Sequence, residues 1–278
     1  MILVTLLFAL LLNEATIQTA QSQFDAGNYK AALDTLSTAL AKSPNDAPLH
    51  YWSARSNYEL RDYDRAISES ETAVKLDPKN AEYNRWLGRA YGAKAEQSRS
   101  FFLARKVKQA FEAAVRLAPG DIAARRDLMQ YCVEAPWIVG GDKDKARQQI
   151  DAIAAIDPIQ GKMARAAYLA TDKQWKAAEA EYVSLIGQHP QNLDAYMEAA
   201  DYFTGRNDAN NLERVINAAS QIGPQDPRLN YYRAVVLVLR QSELPTAAKL
   251  LQAYISVPER SDYPSHRSAT EWLRRTSN

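Results

Sequence analysis

Leu87-Gly88-Arg89-Ala90-Tyr91 decides the reading of this 278-residue chain once its surroundings are set beside it. Proline stands at 44, 78, 119, 158, 190, 224 and 258, so successive intervals are 34, 41, 39, 32, 34 and 34 residues. Punctuation that regular points to repeats rather than to conventional domains. Counting back twelve, eight and five positions from four of these prolines gives Ala32, Leu36 and Ala39; Ala146, Ile150 and Ile153; Ala178, Tyr182 and Leu185; and Leu212, Ile216 and Ala219. Spacings of four and three put each set on one face of a helix. Small residues there let the second helix of a unit approach the first closely, and the larger residue between them fills the gap to the next unit. Proline then stops the helix and sets the turn into the following unit.

The Leu87-Gly88-x-x-Tyr91 core resembles the tetratricopeptide signature. So do Leu76-Asp77-Pro78 and Ile156-Asp157-Pro158 at helix ends, and Tyr29, Tyr63 and Trp175, each three residues ahead of the small-residue position. The resemblance spans residues 13–258, with Asn84 in place of the signature tryptophan and Ser70 where a large residue is expected. It implies an all-α fold, a right-handed superhelical solenoid of antiparallel helix pairs with about seven repeats and a C-terminal capping helix. Residues 16–258 then form the solenoid, with insertions near 93–105 and 135–142 accounting for the two long intervals. Insertions between the helices of a unit project from a solenoid edge. Residues 259–278 form the cap, around a short helix over Ala269–Arg275.

Composition bounds the function. With 46% hydrophobic and 24% charged residues and a mean hydropathy of −0.43, the chain is a folded one and not a polytopic membrane protein. The 34 Lys and Arg against 33 Asp and Glu leave a net charge of +1, so no whole-molecule field favours nucleic acid or an anionic membrane, and any charge preference must be local. The lone Cys132 sits in a helical pattern where a buried core thiol fits.

Ile2 to Leu12 is an apolar run broken only by Thr5. It falls short of the roughly 20 residues a spanning helix needs. Residues 1–15 read as a signal peptide, with Ala15 or Ala20 as the last residue before cleavage, although no Lys or Arg precedes the run. The other reading is an apolar terminal helix. Export, to the periplasm, is the expected location, with the cytoplasm as the alternative.

Chemistry-bearing motifs are missing from the sequence. His50, His189 and His266 are isolated, and no H-E-x-x-H, G-x-S-x-G or phosphate-loop pattern occurs. Gly140-Gly141-Asp142-Lys143 lacks a following hydroxyl and reads as a connector. Glu179 and Glu181, two apart on a helix, point away from each other. Arg105-Lys106-Val107-Lys108 and Arg125-Arg126 read as solvated helix faces, and Val235–Leu239 as repeat core. The expectation is a non-enzymatic protein with no metal, no cofactor, no nucleic-acid partner and no transmembrane span.

What the resemblance implies about binding is an extended protein or peptide segment lying along the first helices of the units. On that basis the second unit presents Tyr51, Arg55 and Tyr58, the third Arg85 and Arg89, and the fourth Arg126 and Gln130. Spacings of four and three keep each set on one face. Guanidinium forks would take carboxylates and the rings apolar side chains, with the alternative that the arginines pair with acids of the next unit. Trp137, in the apolar Trp137-Ile138-Val139 triplet, is a second candidate contact unless it folds back. The sixth unit is acidic, with Asp194, Glu198 and Asp201, so a concave face there would make the groove bipolar. Arg55 stands where a chaperone-tail clamp of this family carries asparagine, so that ligand is not expected. The function expected is a protein–protein interaction scaffold in the cell envelope. The alternatives are a self-associating spacer and a cytoplasmic adaptor.

Overall fold

The computed structural model describes residues 2–277, and side chains from residue 13 onward. Most of the segment expected as a signal peptide therefore lies outside the described side chains. The described residues are helical, without a strand. The chain divides into two compact units, Met1–Gln149 and Ile150–Asn278.

In the first unit α1 (Ile2–Asp25) pairs with α2 (Tyr29–Leu40), α3 (Ala47–Glu59) with α4 (Tyr63–Leu76), and α5 (Ala81–Ser98) with α6 (Phe101–Leu117). α7 (Ile122–Glu134) follows, then a 3-10 turn over Trp137–Val139, then α8 (Lys143–Ile156), inside which the first unit ends. In the second unit α9 (Pro158–Thr171) pairs with α10 (Trp175–Ile186), α11 (Leu193–Gly205) with α12 (Ala209–Ile222), and α13 (Arg228–Leu239) with α14 (Leu244–Ile255). α15 (His266–Arg274) closes that stack against α13 and α14, burying Ala269 and Trp272. In each unit three successive helix pairs stack as a helical solenoid of repeats, with α15 as the cap of the second. The first helices also touch one another, α1 to α3 to α5 to α7 in one unit and α9 to α11 to α13 to α15 in the other.

Backbone geometry makes the pairs recur. After α1, α3, α5, α9, α11 and α13 one residue takes a left-handed conformation: Gly27, Arg61, Arg99, Lys173, Asn207 and Gln241. Each reversal carries the same two bonds, as in Lys173 N–H to the Ala170 carbonyl at 3.0 Å and Gln174 N–H to the Leu169 carbonyl at 2.8 Å. This is the Schellman closure, which satisfies the last helical carbonyls and turns the chain within two or three residues. At the next turn, Asp46, Asn80, Asp121, Asp157 and Asn192 accept backbone N–H groups at the starts of α3, α5, α7, α9 and α11. Pro158 opens α9 rather than ending α8, which shortens that connection.

All twelve residues picked out by counting back from the prolines are buried, as are Ala66, Ser70 and Ala73 of the second repeat. Cys132 is buried as well. Counted back from Pro258 the register slips by one, to Ala247, Leu251 and Tyr254. The extra residues of the third repeat are not a loop: they lengthen α5 to 18 and α6 to 17 residues. Those of the fourth do form a loop, because Ala135 precedes Pro136 and is held extended, at φ −70° and ψ 140°, where the other repeats turn left-handed.

Glycine permits close approach at two helix crossings. A methyl on Gly88 would lie 2.5 Å from the Phe111 ring, and one on Gly161 would lie 2.4 Å from Cβ and 2.5 Å from Cα of Ala154. The ring can rotate, whereas the Ala154 backbone cannot. Gly161→Ala is expected to lower the unfolding free energy by about 1–3 kcal/mol. Gly88→Ala should cost less than that, since about 1 kcal/mol of helix propensity is regained and the ring moves aside. Urea unfolding of the two variants checks the order, and a costlier Gly88→Ala would contradict it.

Candidate partner-binding face

The first helices of repeats two to four stand side by side within the first unit, and the face expected from sequence is assembled on them. Tyr51 on α3 donates its hydroxyl to Glu82 Oε1 on α5 at 2.9 Å. Glu82 also accepts Trp86 Nε1–H at 2.9 Å and a two-pronged bond from Arg85, Nε to Oε2 and Nη2 to Oε1, both 2.8 Å. One turn on, Arg89 grips Asp127 of α7 through Nε at 2.7 Å and Nη2 at 2.9 Å, and Arg85 Nη1 lies 3.5 Å from the same carboxylate. Hydroxyl, carboxylates and guanidiniums thus bridge three successive repeats.

Burial alone would raise the Glu82 pKa, but the hydrogen bonds and charge of Arg85, with the donors Tyr51 and Trp86, outweigh it and hold the carboxyl down at about 2. Burial likewise opposes the Arg85 charge, and Glu82 and Asp127 overcome it, raising the Arg85 pKa. Burial raises the Tyr51 pKa, so this phenol is a donor at neutral pH.

The expected basic residues therefore differ among themselves. Arg85 and Arg89 already carry the carboxylates of Glu82 and Asp127, which is the alternative weighed for them from sequence. Arg55 carries none among the described residues. Its guanidinium lies 4.4 Å from the Trp52 ring centre, 4.6 Å from Trp86, 4.7 Å from Phe24 and 5.6 Å from Tyr51. Its hydrogen bond, from Nη1 to the Tyr51 hydroxyl, is 3.3 Å long, and its buried Nε–H has no partner. Tyr58 packs edge-on against Trp86 at 5.5 Å. On α7, Gln130 donates to the Glu134 carboxylate, and Arg126 is half-buried. Trp137 does not join this layer; it projects from the loop after α7. In the second unit the acids of α11 are met by their own stack. Asp201 accepts the Tyr232 hydroxyl at 2.6 Å, Asp194 lies 3.4 Å from Arg228, and Glu198 accepts Tyr182 at 3.4 Å.

Phe24, Trp52, Trp86, Glu82 and Asp127 were not among the residues expected. Trp52 and Trp86 stand 34 residues apart, one repeat period, and that coincidence was readable in the sequence. Among the described residues no group of three or more His, Cys, Asp and Glu side chains is arranged to hold a metal, and no helix is long and apolar enough to cross a membrane.

A family model for the tetratricopeptide repeat matches residues 23–90, which contain this cage and the Leu87-Gly88 core. No curated protein sequence matches the chain. Among solved structures, a tetratricopeptide repeat protein from Parabacteroides merdae is 16% identical, with a TM-score of 0.60 over 95% of this chain and 98% of that one. A thermophilic TPR protein of Thermus thermophilus is 22% identical, with a TM-score of 0.56 over 68% and 98%. Pseudomonas aeruginosa pilF is 17% identical, with a TM-score of 0.51 over 80% and 96%. At such identities the likeness concerns the fold, and the family match extends over residues 23–90.

A carboxyl held below its ordinary 4.5 stabilises the fold fully above that value and loses the contribution as pH falls through about 2. Glu82→Gln is expected to lower the urea midpoint at neutral pH and to flatten the decline that the parent protein shows between those two values. Urea titrations at stepped acid pH check it, and an unaltered pH profile would contradict the assignment.

Proposed function

We propose that the protein is a non-enzymatic interaction scaffold that holds an extended, carboxylate-bearing segment of a protein partner against α3, α5 and α7. Tetratricopeptide arrays generally serve as interaction scaffolds, and the family match covers α3 and most of α5. The observation that carries the finer reading is Arg55. A guanidinium walled by four rings, with no carboxylate of its own among the described residues, is a cation whose partner comes from outside. Glu82 and Asp127 hold Arg85 and Arg89 in place, so those side chains shape the face and set its polarity. Tyr58, Arg126 and Gln130 extend it toward the fourth repeat.

The location proposed is the cell envelope, reached by export. Ile17 packs beside the buried Ala20 and Phe24 in the core of the first repeat, which favours processing after Ala15 over processing after Ala20. The amino-terminal sequence of protein recovered from the envelope fraction is then expected to begin at Thr16. Recovery of the intact Met1 chain from the cytoplasm would remove this reading.

Selection from a library of unstructured peptides tests the binding face. Peptides bearing carboxylates among apolar residues should be enriched, and Arg55→Gln should weaken them by about tenfold or more, the scale of one charge-assisted hydrogen bond. The circular dichroism of the variant should be unchanged. Enrichment indifferent to carboxylates, or equal affinity of the variant, would overturn the assignment.

A further inference from the structure

The two irregular repeats come together at one edge of the first unit. The loop after α7 is laid along the first turns of α6: the Tyr131 hydroxyl lies 2.6 Å from the Ala104 carbonyl oxygen and 2.7 Å from that of Val139, and Lys108 Nζ donates to the Gly140 carbonyl at 2.8 Å. Arg105 Nη2 lies 3.5 Å from the Ile138 carbonyl oxygen. Val139 turns into the core at 4% exposure, but its neighbours do not: Trp137 is 84% and Ile138 53% exposed. Phe101 and Phe102, in the first turn of α6, are 66% and 69% exposed. Phe101 is four residues before Arg105 and seven before Lys108, so it lies on the helix face along which the loop runs. Phe101, Trp137 and Ile138 therefore project from one edge, with Phe102 beside them in the first turn of α6.

The two stretches of sequence that carry them hold no acid, although the whole chain is nearly neutral. Residues 97–111 hold Arg99, Arg105, Lys106 and Lys108 and no acid, and residues 135–141 hold no charge at all. Arg99 and Arg105 are exposed. Lys106 is drawn over the Phe102 ring at 5.3 Å, its ammonium 3.6 Å from Glu71. Side chains this exposed stand proud of the surface instead of lining a cleft, so a rigid partner would need a matching pocket for each. A bilayer interface needs none: aromatic and aliphatic tips enter the headgroup boundary, and arginines beside them meet anionic phosphates.

We infer that this edge, Phe101, Phe102, Trp137 and Ile138 with Arg99 and Arg105, is a docking surface for an anionic membrane. The solenoid would lie on a bilayer by this edge while the Arg55 face stays available to a protein segment, and neither assignment depends on the other.

Cosedimentation of the full chain with vesicles of phosphatidylcholine mixed with phosphatidylglycerol, and with vesicles of phosphatidylcholine alone, tests the inference. Binding is expected to the mixed vesicles, weakened by salt and much weaker on phosphatidylcholine alone. The double variant Phe101→Ser with Trp137→Ser should lower partitioning about tenfold or more, since two buried rings are lost. Arg99→Gln with Arg105→Gln should lower it about tenfold or more through lost charge near the anionic surface. All four positions are exposed, and an unchanged circular dichroism spectrum verifies each fold. Binding that both variants retain would assign attachment to the apolar Ile2–Leu12 run and overturn the inference. So would failure to bind mixed vesicles, or a self-associated species that Trp137→Ser dissolves, which would make this edge a contact between copies of the chain.

Discussion

A pair of helices about thirty residues long cannot cover its own apolar stripe, and every other feature of this protein answers to that constraint. The second helix of a repeat turns a stripe such as Ala32-Leu36-Ala39 or Ala178-Tyr182-Leu185 inward, against its own first helix and against the first helix of the next repeat. Both contacts must form together. Alanine or glycine at the crossing keeps the axes close, and the left-handed reversal after most first helices returns the chain before the apolar faces can diverge. The stack stops where the pattern is covered from outside, as when α15 lays Trp272 and Ala269 over the last pair.

The same stacking sets the terms for charge. First helices stand close enough for a hydroxyl on α3 to reach a carboxylate on α5, and for an arginine on α5 to reach a carboxylate on α7. In so confined a layer a charge left alone is costly, so Arg85 and Arg89 acquire acids from their own and the following repeat. Arg55 acquires rings instead. Aromatic faces offer it attraction without neutralising it, which leaves one cation in the layer electrostatically open.

The fold was legible because proline and alanine act locally and repeat. Pro78 falls just past the end of α4, and three equal intervals between prolines then fix the period. The candidate site was legible only in outline. Spacings of four and three collected Tyr51, Arg55 and Tyr58 onto one helix, but such spacing is blind to what lies opposite. Glu82 and Asp127, which occupy two of the expected cations, come from a different turn and a different repeat, and Phe24 reaches Arg55 from the repeat before. The third-repeat excess was located in sequence but not its form. Nothing between Ala93 and Arg105 breaks a helix until Arg99 turns left-handed, so the extra residues extend α5 and α6 as further turns.

The fourth repeat shows how one residue pair redirects the whole edge. Ala135 occupies the position where the other first helices begin their reversal, but Pro136 follows it, and a residue before proline is confined to extended backbone. The short closure is unavailable, so the chain runs on through Trp137, Ile138 and Val139 before Asp142 N–H bonds back to the Cys132 carbonyl at 2.8 Å and the second helix can start. That detour needs a surface to rest on, and the lengthened α6 supplies it through Ala104, Arg105 and Lys108. The two departures from the repeat are therefore one arrangement in space. A helix of ordinary length beginning four or five residues later would have offered the loop no backing. The exposed rings at this edge follow from that pairing: Val139 spends the only inward position the loop has, and Trp137 and Ile138 must face out.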